Sequence, residues 1–378
     1  MESLIQDLRY ALRMLARNRG FTAVAVLSLA LGIGANTAIF SIIDDLMLRP
    51  LPYPAANRLV GLNEVKLDEP DSSRWGVSLY TYMDRKKRSK SFDEMALIHW
   101  GWPYVVEGPG GAEILHGRHV TNGYFQILGG KTSQGRLFLP AEYAENAASV
   151  VVLSDGTWRR VFNSDPHIIG KGVKLNGQVR TVVGVLTPDF HTLYGDKVDL
   201  WGPITWRSHN RKGRYFGVIG RLKKGTDVQT AQAEMDVIAR QIAKDDPDAA
   251  GFRASVRPLQ EWMYGGFVKA RLLPMLGAVF FVLLIACANV ANLMLARATA
   301  RDKEFAIRCA VGGGRARLIR QLLTESTLLA VLGAGLGLFL AYTGVALMVR
   351  LDPDAIPQAG EIAVNLRVLG FTLLMRIT

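Results

Sequence analysis

Two histidines at positions 116 and 119, in the segment HGRH, have the donor chemistry of a metal pair. No cysteine and no His-Glu-x-x-His helix accompany them, so they read as surface histidines. The segment GGKT, Gly129 to Thr132, resembles the end of a phosphate-binding loop. Such a loop needs its first glycine at position 125, where Phe125 stands, and Gly135 interrupts any following helix. There is no G-x-S-x-G elbow, and the carboxylates are scattered rather than paired. We therefore expect no catalytic residue, no cofactor site and no metal site, and do not read the chain as an enzyme.

The remaining cluster with chemical content is RDKEFAIRCAVGGGRARLIRQLLTES, Arg301 to Ser326. Glu304 and Arg308 form an i,i+4 pair in the favourable orientation, beside a small apolar face of Phe305, Ala306 and Cys309. Gly312, Gly313 and Gly314 end this helix, and Arg315 begins a second. A merely solvated loop accounts for the charges but not for the phenylalanine or the glycine break. The pattern fits a docking element for a partner protein.

What holds that segment in place is membrane. The chain has 378 residues, 49% hydrophobic, with a net charge of +12. Charge of that size suits nucleic acid, but here the apolar residues gather in uncharged runs, so no nucleic acid partner is expected. Phe21 to Ile43, Leu272 to Leu295 and Ser326 to Val349 each exceed the roughly 20 residues a helix needs to cross a bilayer. The first is too long for a cleaved signal peptide and reads as an anchor. Arginines before the first run and between the second and third put both segments in the cytoplasm and the long intervening segment outside. No acidic or basic residue is expected mid-span, which disfavours an ion-coupled carrier. Ala30, Gly34 and Ala38, and likewise Gly333, Gly337 and Ala341, recur at every fourth position, as in closely packed membrane helices. Asn36, Asn289 and Asn292 are candidates for interhelical hydrogen bonds.

The expected organisation is an amphipathic helix over 1–19, span one over 20–48, an external domain over 49–270, and span two over 271–296. A cytoplasmic coupling loop over 297–325 follows, then span three over 326–349, an external loop over 350–365, and an incomplete fourth span over 366–378. The first segment serves either as a helix on the inner membrane face, with Leu4, Leu8, Leu12 and Leu15 at helical spacing, or as a simple positive-inside anchor. The external domain reads as α+β without disulfides, since the two cysteines, Cys287 and Cys309, lie elsewhere. A strand is expected at Ser149 to Ser154, a hairpin turning at Asn176-Gly177, and a strand at Tyr215 to Leu222. Thr226 with Gln229 opens a helix burying Ala231, Met235, Ile238 and Ile242. The basic run Asp84 to Lys90 reads as a solvated helix end. The fold class is thus a membrane protein, an α-helical transmembrane bundle of three complete spans and an incomplete fourth, with a large α+β external domain between spans one and two.

EFAIRCAVGGGRARLIRQLLTES resembles a block of FtsX-like, MacB-type ABC transporter permeases, with matches at Glu304, Ile307, Arg308, Ala310, Gly312, Arg315, Ile319, Gln321 and Glu325. LGIGANTAIFSIIDDLMLRPLPYP, VTNGYFQILGGKTSQGRLF and VIGRLKKGTDVQTAQAEMDVIA are similar to the subgroup called acidobacterial duplicated orphan permeases. The resemblance implies a bacterial inner-membrane protein with a cytoplasmic N-terminus and a MacB-like periplasmic core domain. It also implies a homodimer or pairing with a second permease unit, and a coupling helix docked on a separate cytoplasmic ABC ATPase. Function would then be mechanotransmission for export or envelope work, or, as the alternative, an FtsX-like receptor that regulates a periplasmic partner without transport.

Overall fold

The computed structural model describes residues 2–68, 76–108, 111–144, 146–195, 197–205, 213–300 and 315–351. The chain divides into two compact units, one of residues 1–49 and 266–378, the other of residues 50–265.

In chain order the first unit opens with helix α1 (Glu2–Arg17) and α2 (Arg19–Ile43). The joint is tied by Asn18 Nδ2 donating to Met14 O at 3.0 Å and Thr22 Oγ1 donating to Leu15 O at 2.9 Å. Beyond Ile43 the helix continues as a wide turn, Asp44–Leu48. On α1, Ala11 and Leu15 are buried while Leu12 is exposed.

The second unit is one mixed sheet with helices against it. Its elements are β1 (Leu59–Lys66), α3 (Leu79–Arg88), β2 (Phe92–Gly108), β3 (Gly111–Val120), α4 (Tyr124–Leu128), β4 (Thr132–Gly135) and β5 (Val150–Leu153). There follow α5 (Asp155–Val161), β6 (Gly172–Leu175), β7 (Gln178–Leu186), β8 (Leu200–Pro203), β9 (Phe216–Leu222), α6 (Val228–Asp245) and β10 (Phe252–Pro258). Among the described residues the strand order is β10-β1-β9-β2-β3-β8-β5-β7-β4, with β6 paired to β2 and β7. All four residues of β5 are buried, as its unbroken Val-Val-Val-Leu demands of a strand covered on both faces. Asn176 (φ 50°) and Gly177 (φ 77°) make the left-handed turn that joins β6 to β7. Helix α6 is capped by Asp227, which accepts from Thr230 N at 2.7 Å, one residue later than the Thr226 box expected. Its Ala231, Met235, Ile238 and Ile242 are buried. Gln232 on the same helix donates to Ala254 O at 2.8 Å and accepts from Val256 N at 2.7 Å. The side chain thereby covers the open edge of β10.

Strand β2 organises the sheet. From Phe92 to His99 it pairs with β9, and a register shift between His99 and Trp102 interrupts its pairing with β3. Past the shift it touches β6 at Val106 and Leu175. One core, including Leu62, Met95, Val218 and Met235, forms around its first half, and another, including Tyr104, Leu115, Val151 and Leu200, around its second.

The basic run at the end of α3 differs from expectation. Arg85 is 2% exposed, with Nη2 lying 3.3 Å from Glu64 Oε1, and Glu64 also accepts from Arg214 Nε at 2.5 Å. Arg85 follows Tyr82 and Thr81 by three and four residues, both buried, so helical geometry carries it inward. Lys86 pairs with Glu94 and Arg88 with Asp245.

After β10 come α7 (Leu259–Phe267), a wide turn Val268–Leu272, α8 (Leu273–Ala300) and α9 (Arg315–Leu351). Among the described residues three helical stretches are long and apolar enough to cross a membrane: Arg19–Leu48, Leu259–Ala296 and Leu323–Leu347.

Candidate functional site

In the first unit α2 packs against both α8 and α9. Small residues set how closely. A Cβ added at Gly34 would stand 2.8 Å from Gly337 O, and one added at Gly337 would stand 2.9 Å from Ala30 O and 3.2 Å from Gly34 N. At Gly333 an added Cβ would stand 2.7 Å from Leu29 Cβ. Two backbones thus touch where a side chain would hold them apart, which is how membrane helices gain dispersion contacts without a hydrophobic driving force. Towards α8 the same helix presents Gly32, whose added Cβ would stand 2.9 Å from Leu283 Cδ1.

Asn36 is fully buried in this packing. Its Nδ2 donates to Gly32 O in its own helix at 2.9 Å and to Val279 O on α8 at 2.8 Å. Both amide hydrogens are thus used, and the bond to Val279 fixes the rotation of α2 against α8. Asn36→Ala should lower stability by about 0.6–2 kcal/mol, read as the thermal unfolding midpoint of the detergent-solubilised chain. Asn289 and Asn292 are placed otherwise, for both are exposed on α8. The face of α8 turned to α2 carries Leu283, Cys287 and Val290, and at 100° per residue positions 289 and 292 point away from it. Their packing role is not made within this chain's described helices.

Carboxylates buried in this unit were missed by the reading of uncharged runs. Asp44 is 1% exposed and Asp45 9%, because the helix of the first span extends past Ile43. Arg49 Nη1 donates to Asp45 Oδ1 at 2.7 Å. Glu325, 1% exposed, is the third. The loop expected over 297–325 includes it, yet Glu325, Leu329, Gly333, Gly337 and Ala341 follow at steps of four, and all are buried on one stripe of α9. That spacing was the available signal.

The expected coupling residues Glu304, Phe305, Ile307, Arg308, Gly312, Gly313 and Gly314 lie outside the described residues. Arg315 is the first residue of α9.

In the external domain His116 and His119 lie three apart on β3 and so face opposite sides of the sheet. His119 Nε2 meets the Tyr104 hydroxyl at 2.8 Å. The GGKT segment is the left-handed cap of α4, Gly129 at φ 76°, running into strand β4. A phosphate loop opens a helix, and this one closes a helix. Asp199, 4% exposed, accepts from Thr157 Oγ1 at 2.7 Å, Arg160 Nη2 at 2.7 Å and His116 N at 2.8 Å, joining β8, α5 and β3.

Comparison with known proteins bears on both units. A family model described as MacB-like periplasmic core domain matches residues 22–238, and one described as FtsX-like permease C-terminal matches residues 276–376. The chain is similar to the macrolide export ATP-binding/permease protein MacB of Sodalis glossinidius, 27% identical over 252 residues, covering 63% of this chain and 37% of that protein. The protein of the same name from Neisseria meningitidis serogroup A is 28% identical over 222 residues, covering 58% of this chain and 33% of that one. The chain thus spans about a third of the length of these relatives. Among solved structures, the periplasmic region of MacB from Actinobacillus actinomycetemcomitans superposes with a TM-score of 0.42 at 12% identity, covering 57% of this chain and 94% of that one. The extracellular domain of the noncanonic ABC-type transporter YknZ gives 0.38 at 12% identity, covering 52% of this chain and 99% of that one. With apolar helices long enough to span a membrane and both permease domains matched in order, the chain belongs to the MacB/FtsX-like ABC permeases.

Proposed function

We propose that the chain is the permease subunit of a MacB-like ABC transporter in the bacterial inner membrane, with a cytoplasmic N-terminus. It couples ATP hydrolysis by a separate cytoplasmic ATPase to movement of the periplasmic domain. The observation that carries this reading is the pair of matched domains, both of them permease domains, with the Glu304–Arg315 block inside the second. In this reading a coupling helix from about Asp302 to Val311 docks on the ATPase, with Gly312 to Gly314 as hinge. The close packing of α2 against α8 and α9 supports it, since a push on one helix of such a bundle is carried to the others. Asn289 and Asn292 support pairing with a second permease unit, because amides facing hydrocarbon lack partners that another helix supplies.

Glu304→Ala and Arg308→Ala should each abolish copurification of the ATPase while the external domain keeps its unfolding transition. Copurification that survives both substitutions unchanged overturns the coupling role.

A further inference from the structure

We propose that the external domain binds a small organic anion, a carboxylate or sulfonate on an aromatic or apolar body, in the cleft beside the β2 bulge. This goes beyond the permease reading and does not depend on it.

The cleft has a volume of about 380 Å³ and shares Ile204 and Phe216 with the core around the first half of β2. That volume falls within the range of small-molecule sites. The register shift between His99 and Trp102 is what opens it, because the residues of a bulge leave the regular ladder and re-aim their side chains. Six strands and the segment before β5 contribute to the wall, so its shape is held by the sheet and not by one loop.

Its chemistry is one-sided. Arg180, His99 and His119 bring cationic or protonatable nitrogen, Ser149, Thr205 and Gln178 bring neutral polar groups, and no carboxylate stands among the described lining residues. Arg180, half-buried on β7, is held differently from the ion-paired arginines of this domain. Arg85, Arg214 and Arg160 each pair with a carboxylate. Arg180 forms no ion pair among the described residues, and its Nε is buried without a hydrogen-bond partner among them. Instead its guanidinium stands 5.2 Å from the Tyr104 ring centroid, a cation–π contact that orients it while leaving donors for an acceptor. Burial raises the Tyr104 hydroxyl above the ordinary tyrosine range against the pull of Arg180, so it stays neutral and does not compete as an anion.

The other wall is aromatic. The His99 ring lies 6.0 Å from Trp102 and 5.4 Å from Phe216 between centroids. Trp102 is 54% exposed, a large apolar surface left in water at the mouth of a cationic cleft. A planar fork of donors beside a stacking surface recognises an anionic group attached to a flat body.

The test uses the full chain in lipid nanodiscs, with protein-free nanodiscs as the blank for partitioning. Naphthoate is titrated calorimetrically against its neutral isostere naphthamide and the cation naphthylmethylammonium. Naphthoate should bind with a Kd below about 1 mM and at least about tenfold more tightly than either isostere. Arg180→Met should weaken it about tenfold or more, the scale of a lost charge-assisted hydrogen bond. Trp102→Ala should weaken it about threefold or more through lost stacking. Gln178→Glu, at an exposed position where folding is not at stake, should weaken it about tenfold by putting a negative charge in the wall. The proposal is overturned by no saturable heat with naphthoate, by equal binding of naphthamide, or by unchanged affinity in the Gln178→Glu chain. ATPase copurification stays unaffected by all three substitutions in either case, so the two readings fail separately.

Discussion

Replacing Glu64 with glutamine should cost about 3–5 kcal/mol of unfolding free energy, the largest single effect expected in the external domain. Glu64 is 1% exposed on β1 and accepts from Arg214 at 2.5 Å, with Arg85 at 3.3 Å on its other oxygen. Burial pulls the Arg85 guanidinium below the ordinary arginine range, Glu64 pulls it back up, and Arg214 pushes it down again. One carboxylate therefore contacts two arginines, and a neutral amide would take from the buried Arg85 the counter-charge it has there. The measurement is urea unfolding of the detergent-solubilised chain, followed by tryptophan fluorescence. Trp262 reports on β1 directly, because its Nε1 donates to Asn63 Oδ1 at 2.6 Å, one residue from Glu64. Asp93→Asn is the control, since the Arg58–Asp93 pair is solvent-exposed and should be worth about 1 kcal/mol or less. Substituting Glu64, Arg85 and Arg214 together with methionine should recover much of the loss, because removing all the buried charges removes the need for compensation. A Glu64→Gln chain no less stable than Asp93→Asn would show that water reaches the triad.

What could be read beforehand follows the range of the forces involved. The Asn176-Gly177 turn, strand β5 and the buried face of α6 depend on residues close in sequence, and each is visible in local spacing. Arg85 and Glu325 depart from the sequence expectation for a common reason. A run of charges is a property of a segment, whereas burial belongs to the face of a helix. Arg85 shares a face with Tyr82, and Glu325 lies on the stripe that ends at Ala341. The amides Asn36 and Asn292 look alike in sequence and part company only in three dimensions, one against Val279 and the other on the outer face of α8. The cleft at the β2 bulge was out of reach, since it gathers residues from His99 to Phe216 through a register shift that no local pattern announces. The coupling block rests on resemblance and on helix spacing alone.

Gly337→Val should destabilise the membrane unit by about 1–3 kcal/mol or more, while Gly335→Val, two residues away on the same helix, should stay within about 0.5 kcal/mol. The contrast isolates packing from the intrinsic cost of changing a glycine in a helix. At Gly337 the first atom of a side chain would meet Ala30 O at 2.9 Å, Gly34 N at 3.2 Å and Ile33 Cβ at 3.3 Å, and at Gly335 it would meet nothing within 4 Å. Two of the obstructing atoms at Gly337 are backbone, which no rotamer change can move aside, so α2 and α9 must separate along their line of contact. Separation loses dispersion between the helices and strains the Asn36 bond to α8, because α2 is held on both sides. Gly34→Val should behave like Gly337→Val, with an added Cβ at 2.8 Å from Gly337 O. The double substitution should cost less than the sum, since either one alone already opens the shared contact. Thermal unfolding in detergent measures all four chains. Equal losses at Gly335 and Gly337 would mean that helix backbone preference, and not the close approach of α2 and α9, sets the stability of this unit.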